Sequence, residues 1–172
     1  PVKKVLELRG DDASGWSRAW KTNLWARLRD GDRANKIFKG YLKEQCFKSL
    51  FAMCGKPMQV DGTLGMTAGI SEMLVQSQEG YIDLLPALPS EWADGQFKGV
   101  CARGGFELDF SWKNNSISTL QILSKAGMPC SIKTGNKVKV HSNGKSIAVK
   151  ILPNQVVEFK TETGKTYTVQ GI

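Results

Sequence analysis

The spacing of the apolar residues changes once along this chain, near residues 78–80. Before that point apolar residues recur every three or four positions, as on one face of an α-helix, and after it they alternate, as on one face of a β-strand. Such a chain belongs to the α+β class, with its helices and its strands in separate segments. We therefore expect a helical domain over residues 1–78 and a β-domain over residues 79–172.

The first long helix is predicted over residues 15–30, with Asp12 and Ser14 as competent N-caps. Its apolar stripe is widened by Ala19 and Trp25 and otherwise repeats every four residues: Trp16, Trp20, Leu24 and Leu28. Tryptophans can stack on sugars, but helical spacing favours their burial in a core.

A second helix is predicted after the break at residues 30–32, with Asp32 as its cap. Its apolar residues lie on one face and its lysines on the other: Ala34, Ile37, Phe38, Tyr41 and Leu42 against Lys36, Lys39 and Lys43. Because a tight turn joins them, the two helices should form an antiparallel pair. A third helix is predicted over residues 64–77, with Met66, Ile70, Met73 and Leu74 on one side.

The stretch before the third helix contains the candidate site residue, Asp61. Val60 and Gly62 flank it, so the backbone can turn sharply while the carboxylate stays in a confined, partly apolar place. A carboxylate held in this way can orient water or cap the helix, and the second role is the usual one for Asp before Gly. Gly62, Gly65 and Gly69 would let other backbone approach the head of the helix, which suits a helix end facing a pocket.

The β-domain is predicted from alternation and turn signals. The clearest strand, residues 106–112, places three aromatic residues and a leucine on one face, and residues 114–116 turn it into a second strand over 117–123. Further strands are predicted at 81–85, 130–133, 137–141, 146–151, 155–160 and 165–170, with a loop through Trp92 and Gly95. Many short strands at this spacing are typical of a β-sandwich.

The net charge of +8 would permit an acidic partner, but its distribution argues against one. Residues 1–77 hold 13 basic and 8 acidic groups, and residues 78–172 hold 11 and 8, so the sequence has no basic stripe. A run of some 18 apolar residues, as needed to span a membrane, is also missing. We expect a mixed solvated surface, no nucleic-acid partner and no membrane insertion.

The four cysteines, at positions 46, 54, 101 and 130, lack the C-x-x-C spacing of zinc and iron–sulfur sites, and the chain has a single histidine. We therefore expect no metal and no cofactor. Cys46 falls at the end of a predicted helix and Cys101 in a strand, which favours buried thiols over disulfides.

Three other polar residues have ordinary structural interpretations. Glu72 lies mid-helix beside buried neighbours, so a solvated position is favoured over a role as a partner acid. His141 lies in a strand without carboxylate or cysteine neighbours, which favours a surface or hydrogen-bonded histidine over a Ser-His-Asp or Cys-His site. Arg103 lies among glycines and suits a loop anchor at the domain junction.

Several separated motifs share their order and spacing with a known family over about residues 9–125: residues 14–21, 23–28, 59–62, 67–77, 84–89 and 98–106. Together they resemble the α-L-fucosidases of glycoside hydrolase family 95. Residues 126–172 match only as generic sheet.

The resemblance implies an (α/α)6 barrel followed by a C-terminal β-sandwich, of which this chain keeps the last barrel helices and the sandwich. It also implies hydrolysis of terminal α-linked L-fucose, or the related L-galactose, with inversion. In inverting enzymes a carboxylic acid protonates the leaving oxygen while a second group activates water. In the family an upstream Glu is the acid, and an Asn pair polarised by an Asp serves the water. Asp61 stands where that Asp stands.

The loop around Asp61 departs from the family pattern Phe-Gln-Ile-Asp-Gly-Asn-Phe-Gly-Gly at four positions: Met58, Thr63, Leu64 and Met66. Thr63 lacks an amide that could position sugar or loop. A changed substrate or a loss of activity is therefore an alternative, as in a degenerate paralogue.

We expect this chain to be the C-terminal part of a fucosidase-like hydrolase that is inactive without its upstream acid. The start at Pro1, without an initiator Met or a signal segment, favours the tail of a longer polypeptide. A fucosylated glycan is the expected partner of the intact enzyme, and exposed helix faces could pair two copies. The rival from another class is a non-catalytic carbohydrate-binding or interaction module, which exposed aromatics on one sandwich face would favour.

Overall fold

A computed structural model describes residues 1–134 and 137–171 of the chain. These residues form two compact units. The helical unit contains Pro1–Leu74 and Leu85–Glu91, and the β unit contains Val75–Leu84 and the chain from Trp92 onward. The α+β class predicted from the sequence is confirmed.

The helical unit has four helices and a pair of two-residue strands. In chain order these are α1 (Val2–Arg9), α2 (Gly15–Arg27), α3 (Gly31–Glu44), β1 (Ala52–Met53), β2 (Met58–Gln59) and α4 (Val60–Leu74). The strands β1 and β2 pair antiparallel. Helix α1 was not predicted, and α4 begins at Val60 rather than at residue 64 because the chain passes from β2 directly into the helix.

The apolar stripe predicted for α2 is not the face that this helix buries, so the prediction is wrong. Trp16 is 45% exposed and Leu28 is 40% exposed. The buried residues instead include small ones, Trp25, which only widened the predicted stripe, and two basic residues: Gly15, Arg18, Ala19, Lys21, Thr22, Trp25 and Ala26. The reason lies in α4, which packs so closely on α2 that small side chains are needed between them.

Glycines of α4 create this close approach. A Cβ on Gly62 would lie 2.8 Å from Ala52 Cβ and 2.9 Å from the backbone nitrogen of Trp16. A Cβ on Gly69 would lie 3.0 Å from Thr22 Cγ2. Because contacts advance along both helices in the same direction, from Gly62 at the start of α2 to Gly69 one to two turns later, α2 and α4 run parallel.

Helix α3 lies between α2 and α4 in the sequence. It runs antiparallel to α2, as predicted. The Arg33 guanidinium near its start lies 5.4 Å from the Trp25 ring at the end of α2, and Glu44 at its end pairs with Arg18 near the start of α2 at 2.5 Å. Its predicted cap was wrong, because Asp30 rather than Asp32 accepts the backbone hydrogen bond, from Arg33 N at 3.0 Å.

Asp32 has a different role within the helical unit. Its Oδ1 accepts from the backbone nitrogen of Ser90 at 2.7 Å and from the Ser90 hydroxyl at 2.8 Å. These two hydrogen bonds hold the pKa of Asp32 below its usual value. Asp32 therefore fixes the segment 85–91 against the start of α3.

The predicted buried face of α3 is largely confirmed. Ala34, Ile37 and Tyr41 are buried, whereas Leu42 is exposed. The lysines predicted on the opposite face are exposed: Lys36, Lys39 and Lys43.

The β unit contains a six-stranded antiparallel sheet in the order β10-β9-β13-β7-β6-β5, a three-stranded sheet in the order β11-β12-β8, and the short pair β3-β4. The strands are β3 (Val75–Gln76), β4 (Asp83–Leu84), β5 (Gly95–Ala102), β6 (Phe106–Lys113), β7 (Ser116–Ser124), β8 (Cys130–Lys133), β9 (Lys139–Ser142), β10 (Lys145–Ile147), β11 (Lys150–Leu152), β12 (Val156–Phe159) and β13 (Thr166–Gln170). A 3₁₀ turn, Pro153–Gln155, precedes β12.

The alternation predicted for residues 106–112 is confirmed in β6. Its buried side chains are Phe106, Leu108, Phe110 and Trp112. The predicted hairpin to β7 is also confirmed, since Asn114 and Asn115 have φ angles of 50° and 62°, as a type I′ turn requires.

Other β predictions need correction. The loop predicted through Trp92 and Gly95 is shorter than expected, because the edge strand β5 already begins at Gly95; β5 contains Cys101, which was predicted in a strand, and Gly99 at φ 69° marks a bulge in its pairing with β6. The predicted strand 146–151 is divided between β10 and β11. Edge strands with few large apolar residues give weak periodicity, which is why their bounds were missed.

The four cysteines are free thiols. Cys130 is buried, and burial raises the pKa of its thiol to about 12. Cys54 and Cys101 are exposed, so the prediction of a buried thiol is wrong for Cys101. That residue lies on the exposed face of β5, where alternation leaves every second side chain in solvent.

Candidate active site at the start of two parallel helices

Asp61 lies in the first turn of α4 and its side chain is exposed. The predicted confined, partly apolar setting is therefore not what this chain provides. The reason is that helix α4 begins at Val60, four residues before its predicted start, so Asp61 is already helical and the helix directs Gly62 toward α2 and Asp61 away from it. Val60 and Leu64, on the same helix, are 52% and 66% exposed.

The N-terminal ends of α2 and α4 lie side by side at this point. The Gln59 side-chain oxygen accepts a hydrogen bond from the backbone nitrogen of Trp16 at 3.0 Å. Ser14, at the N-cap of α2, makes no side-chain cap hydrogen bond. The side chain of Gln59, which lies in β2, caps the helix instead. Asp61 and Trp16 consequently belong to the same end of the helix pair, where both helix dipoles present partial positive charge.

Thr63 ties the start of α4 to the preceding hairpin. Its hydroxyl donates to the carbonyl of Gln59 at 3.0 Å and accepts from the backbone nitrogen of Ala52 at 2.8 Å. The side chain that replaces the family's Asn is thus engaged with two backbone groups. It stabilises the first turn of α4, which carries Asp61.

Met66, another departure from the family pattern, is buried one turn further along α4. It belongs to a core cluster with Ala19, Tyr41 and Ala52. Burial raises the pKa of the Tyr41 hydroxyl, and its hydrogen bond reaches the carbonyl of Leu50. Met66 therefore contributes to packing beneath the site.

Trp16 is 45% exposed. One face of its ring stacks on Trp20, with ring centroids 6.4 Å apart and planes inclined by 15°, and the Arg9 guanidinium lies 5.4 Å from the Trp20 ring. Helical side chains lean toward the N-terminus, and Trp20 is one turn C-terminal, so the free face of Trp16 looks toward the helix start. That is the end at which Asp61 lies.

The core interpretation of the α2 tryptophans is therefore correct for Trp25 and wrong for Trp16. Trp25 is 2% exposed. A sequence signal was available, because Trp16 is the second helical residue and points past the helix end, where few other side chains can cover it.

Glu72 is not simply solvated. Arg27 holds it through two contacts, Nε to Oε2 at 2.5 Å and Nη2 to Oε1 at 2.9 Å. This ion pair joins α2 and α4 at the far end of their contact, three helical turns from Asp61. Glu72 therefore has a structural role, while His141 and Arg103 belong to the β unit.

Within residues 1–134 and 137–171, no cluster of three or more His, Cys, Asp or Glu side chains has a geometry that could hold a metal ion. Over the same residues, none of the helices has the length and apolar character needed to cross a membrane.

Two domain models of one known family match this chain. The model of the glycoside hydrolase family 95 catalytic domain matches residues 1–74, and the model of the family 95 C-terminal domain matches residues 76–169. This chain belongs to glycoside hydrolase family 95. The resemblance predicted from separated motifs is thereby confirmed.

Curated relatives of this family 95 chain are named as fucosidases. It is 29% identical to α-L-fucosidase 2 of Arabidopsis thaliana, over 92% of the chain and 19% of the relative. It is 28% identical to a probable α-fucosidase A of Aspergillus oryzae, over 60% of the chain and 17% of that protein. A probable α-fucosidase A of Aspergillus niger is 26% identical, over 67% and 17%. The chain thus spans about a fifth of the relatives' length.

Proposed function

We propose that this chain is the C-terminal part of a family 95 glycoside hydrolase that releases terminal α-linked L-fucose, or a related sugar, with inversion. The observation that carries the proposal is the match of the family's catalytic domain to the unit that holds Asp61 at the start of two parallel helices. The fucosidase names of the relatives support the substrate class.

In this proposal residues 1–78 supply the last helices of an (α/α)6 barrel, and residues 79–172 a β-sandwich. The parallel course of α2 and α4, with α3 returning between them in sequence, supports the first assignment because an αα-barrel alternates helix direction. The contact of Phe159 in the three-stranded sheet with Tyr167 in the six-stranded sheet, 5.5 Å between ring centroids, supports the second.

Asp61 has the role of polarising the group that activates water. A carboxylate that accepts from an amide raises the electron density of the amide oxygen, and this oxygen then takes a proton from the attacking water. The general acid is a Glu outside these 172 residues, placed across the sugar ring at the separation of about 6.5–9.5 Å typical of inverting enzymes. Without that acid the isolated chain does not turn over substrate.

Trp16 provides a surface for the sugar in this proposal. A pyranose ring has a face of C–H groups that packs on an aromatic ring, and the free face of Trp16 looks toward the end that carries Asp61. The stacked Trp20 behind it holds the ring in place. Trp16 thus positions the sugar and takes no part in proton transfer.

The exposed apolar surface of the helical unit fits a chain that lacks most of its catalytic domain. Trp16, Val60 and Leu64 surround the start of α2 and α4, and Leu28 extends the surface along α2. We propose that the remaining catalytic-domain sequence covers much of this surface. Self-association of the isolated chain through the same surface stays a prediction.

The experiment uses a family 95 polypeptide that carries this chain together with the rest of its catalytic domain. Asp61→Asn is assayed for fucose release from a 2-fucosylated glycan, beside Glu7→Gln, which removes an exposed carboxylate from α1 of the same unit. We expect Asp61→Asn to lower kcat by roughly 10²–10⁴-fold and Glu7→Gln to leave it unchanged. Full turnover in Asp61→Asn would remove Asp61 from the mechanism.

The binding-module alternative loses its main support. It required aromatics exposed on one sheet face, whereas Phe106, Phe110 and Trp112 are buried. The degenerate-paralogue alternative is tested by the same assay, since a polypeptide that folds and releases no fucose from any α-fucosylated glycan has kept the fold and lost the reaction.

A further inference from the structure

The β unit contains a cavity of about 310 Å³ that the proposed hydrolysis does not use. It is lined by three segments of the unit, within residues 77–82, 103–106 and 128–131. We propose that this cavity binds a small sugar acid, a pyranose-sized ligand that carries one carboxylate. The proposal is independent of Asp61, because both its walls and its charge come from the β unit.

Arg103 supplies the charge that would select the ligand. It is the single side chain with a full charge among the residues that line the cavity, which include no carboxylate. Within the described part of the chain its guanidinium forms no ion pair. Its backbone nitrogen donates to the Ser77 hydroxyl at 3.1 Å, which fixes the residue at the cavity wall. A guanidinium in this setting suits a carboxylate, which it can bind through two parallel hydrogen bonds.

The remaining walls combine apolar surface with hydroxyl groups, as a sugar ring requires. Tyr81, Phe106 and Met128 contribute apolar atoms, and Ser77 and Ser131 contribute hydroxyls. The volume lies at the lower end of the roughly 300–1,000 Å³ typical of ligand pockets, so it suits one sugar ring rather than an oligosaccharide. A simple inorganic anion is too small and too polar to contact these apolar walls.

Gly104 keeps one wall open to a ligand. Its φ angle is 93°, and a Cβ there would lie 2.6 Å from the Phe106 ring. A larger residue at position 104 would therefore push the ring of Phe106 or the loop that carries Arg103.

Charged groups next to the cavity are already engaged. Lys133 lies 3.5 Å from Asp83 and 5.9 Å from the Tyr81 ring centroid. Glu79 accepts from the Tyr81 hydroxyl at 3.1 Å. The carboxylate of Glu158 also lies close by and accepts from the Ser131 hydroxyl at 3.4 Å. Among the residues that line the cavity, Arg103 carries the one charged group available to an anionic ligand.

The cavity is also preformed. Backbone hydrogen bonds join its first and third segments, from Ile82 N to Ser131 O and from Lys133 N to Ile82 O, each at 2.8 Å. A site whose walls are held by backbone hydrogen bonds pays little ordering entropy when a ligand enters.

The test is a titration of the 172-residue chain with D-glucuronate, D-glucose and acetate, followed by amide chemical shifts and calorimetry. We expect saturable binding of glucuronate, with shifts at Ser77, Arg103 and Ser131, and much weaker binding of glucose and acetate. Arg103→Gln should weaken glucuronate binding by roughly 10- to 100-fold, as the loss of a charged hydrogen-bonding partner does. Arg103→Lys keeps the charge but loses the two parallel N–H donors of the guanidinium. Its affinity for glucuronate should lie between those of the unsubstituted chain and Arg103→Gln.

The matched control is Lys98→Gln, which removes an exposed cation from β5 of the same unit and should bind glucuronate normally. Shift dispersion verifies that each variant folds, and Arg103→Lys keeps the test valid if Arg103→Gln unfolds. Equal binding of glucose and glucuronate, equal binding of acetate, or an unchanged affinity in folded Arg103→Gln would each overturn the proposal. Because hydrolysis is not measured, a failure of the binding proposal says nothing about the role of Asp61. A failure of the proposed role of Asp61 likewise says nothing about binding in this cavity.

Discussion

The two units of this chain differ in how many of their large apolar side chains stay exposed to solvent. In the β unit large side chains face inward, and Leu108 and Phe110 in the centre of β6 are 0% and 2% exposed. In the helical unit the closest helix contact consists of glycines and other small residues, while Trp16 and Leu64 face solvent. Of the exposed large apolar side chains among the described residues, eleven lie in the helical unit and three in the β unit.

This contrast separates a unit that closes around its own core from one whose apolar surface remains available. The hydrophobic effect scales with the apolar area removed from water, so surface left exposed contributes nothing to the stability of the isolated chain. It contributes once another surface covers it. Part of this potential stabilisation lies at the candidate site, where Trp16, Val60 and Leu64 are exposed around the starts of α2 and α4.

The sharpest test of the contrast truncates one phenylalanine in each unit. Phe110→Ala empties a buried position in the β unit and should lower the free energy of unfolding by about 3–5 kcal/mol. Phe51→Ala, in the helical unit, removes a side chain that is 44% exposed and should cost less than about 1 kcal/mol. Urea unfolding of both variants measures the difference. Equal losses would contradict the contrast, because they would show that Phe51 contributes as much packing as the buried Phe110.

A second test adds a methyl group where the helical unit is tightest. Gly62→Ala places a Cβ 2.8 Å from Ala52 Cβ and should separate α2 from α4, at a cost of about 1–3 kcal/mol in the free energy of unfolding. The control is Ala68→Val, which enlarges an exposed residue of the same helix. Thermal unfolding followed by circular dichroism reports the helical unit. An unchanged midpoint for Gly62→Ala would contradict the close parallel packing.

Trp16→Ala separates stability from function. In the isolated chain it removes a half-exposed ring and one stacking contact, so the free energy of unfolding should fall by no more than about 1 kcal/mol. In a polypeptide with the whole catalytic domain, we expect kcat/KM for the fucosylated glycan to fall about tenfold or more, with partial recovery in Trp16→Phe. A large loss of stability in the isolated chain, with normal catalytic efficiency in the complete one, would make Trp16 a core residue after all.

The sequence predicted the β6–β7 hairpin because alternation and an Asn-Asn turn agree there, and both depend on local geometry. It also predicted most of the buried face of α3, where the apolar residues recur regularly and other elements of this chain cover them. It failed for α2, where the stripe of largest residues, Trp16 to Leu28, was assigned to the core. Periodicity identifies the apolar face of a helix but does not say whether this chain supplies the surface that covers it.

The position of Asp61 shows the same limit at the candidate site. Residues 58–62 indicated a turn at the head of a helix, and the helix is present, but its first residue decides which side chain faces inward. That choice depends on Gly62 meeting Ala52 and the Trp16 backbone, a tertiary contact that no local pattern contains. Likewise the cap by Gln59, 43 residues from Trp16 along the chain, depends on the packing of β2 against α2.

The smallest expected effect concerns Asp11, which lies in the linker between α1 and α2 in the helical unit. Desolvation acts to raise the pKa of Asp11, but hydrogen bonds from Lys36 and Arg33, at 3.0 and 2.9 Å, outweigh it and hold the pKa below its ordinary value of 3.8. A carboxyl group whose pKa is lowered by folding stabilises the folded state at pH values above its pKa in the unfolded state. This stabilisation disappears as the pH falls through the pKa of the folded state.

Asp11→Asn should therefore lower the free energy of unfolding by less than about 1 kcal/mol at neutral pH and have no effect in strong acid. Urea titrations between pH 7 and pH 2, with Glu7→Gln as control, measure this convergence, and a loss in Asp11→Asn that persists undiminished at the acid end would mean that the side chain acts through packing rather than charge.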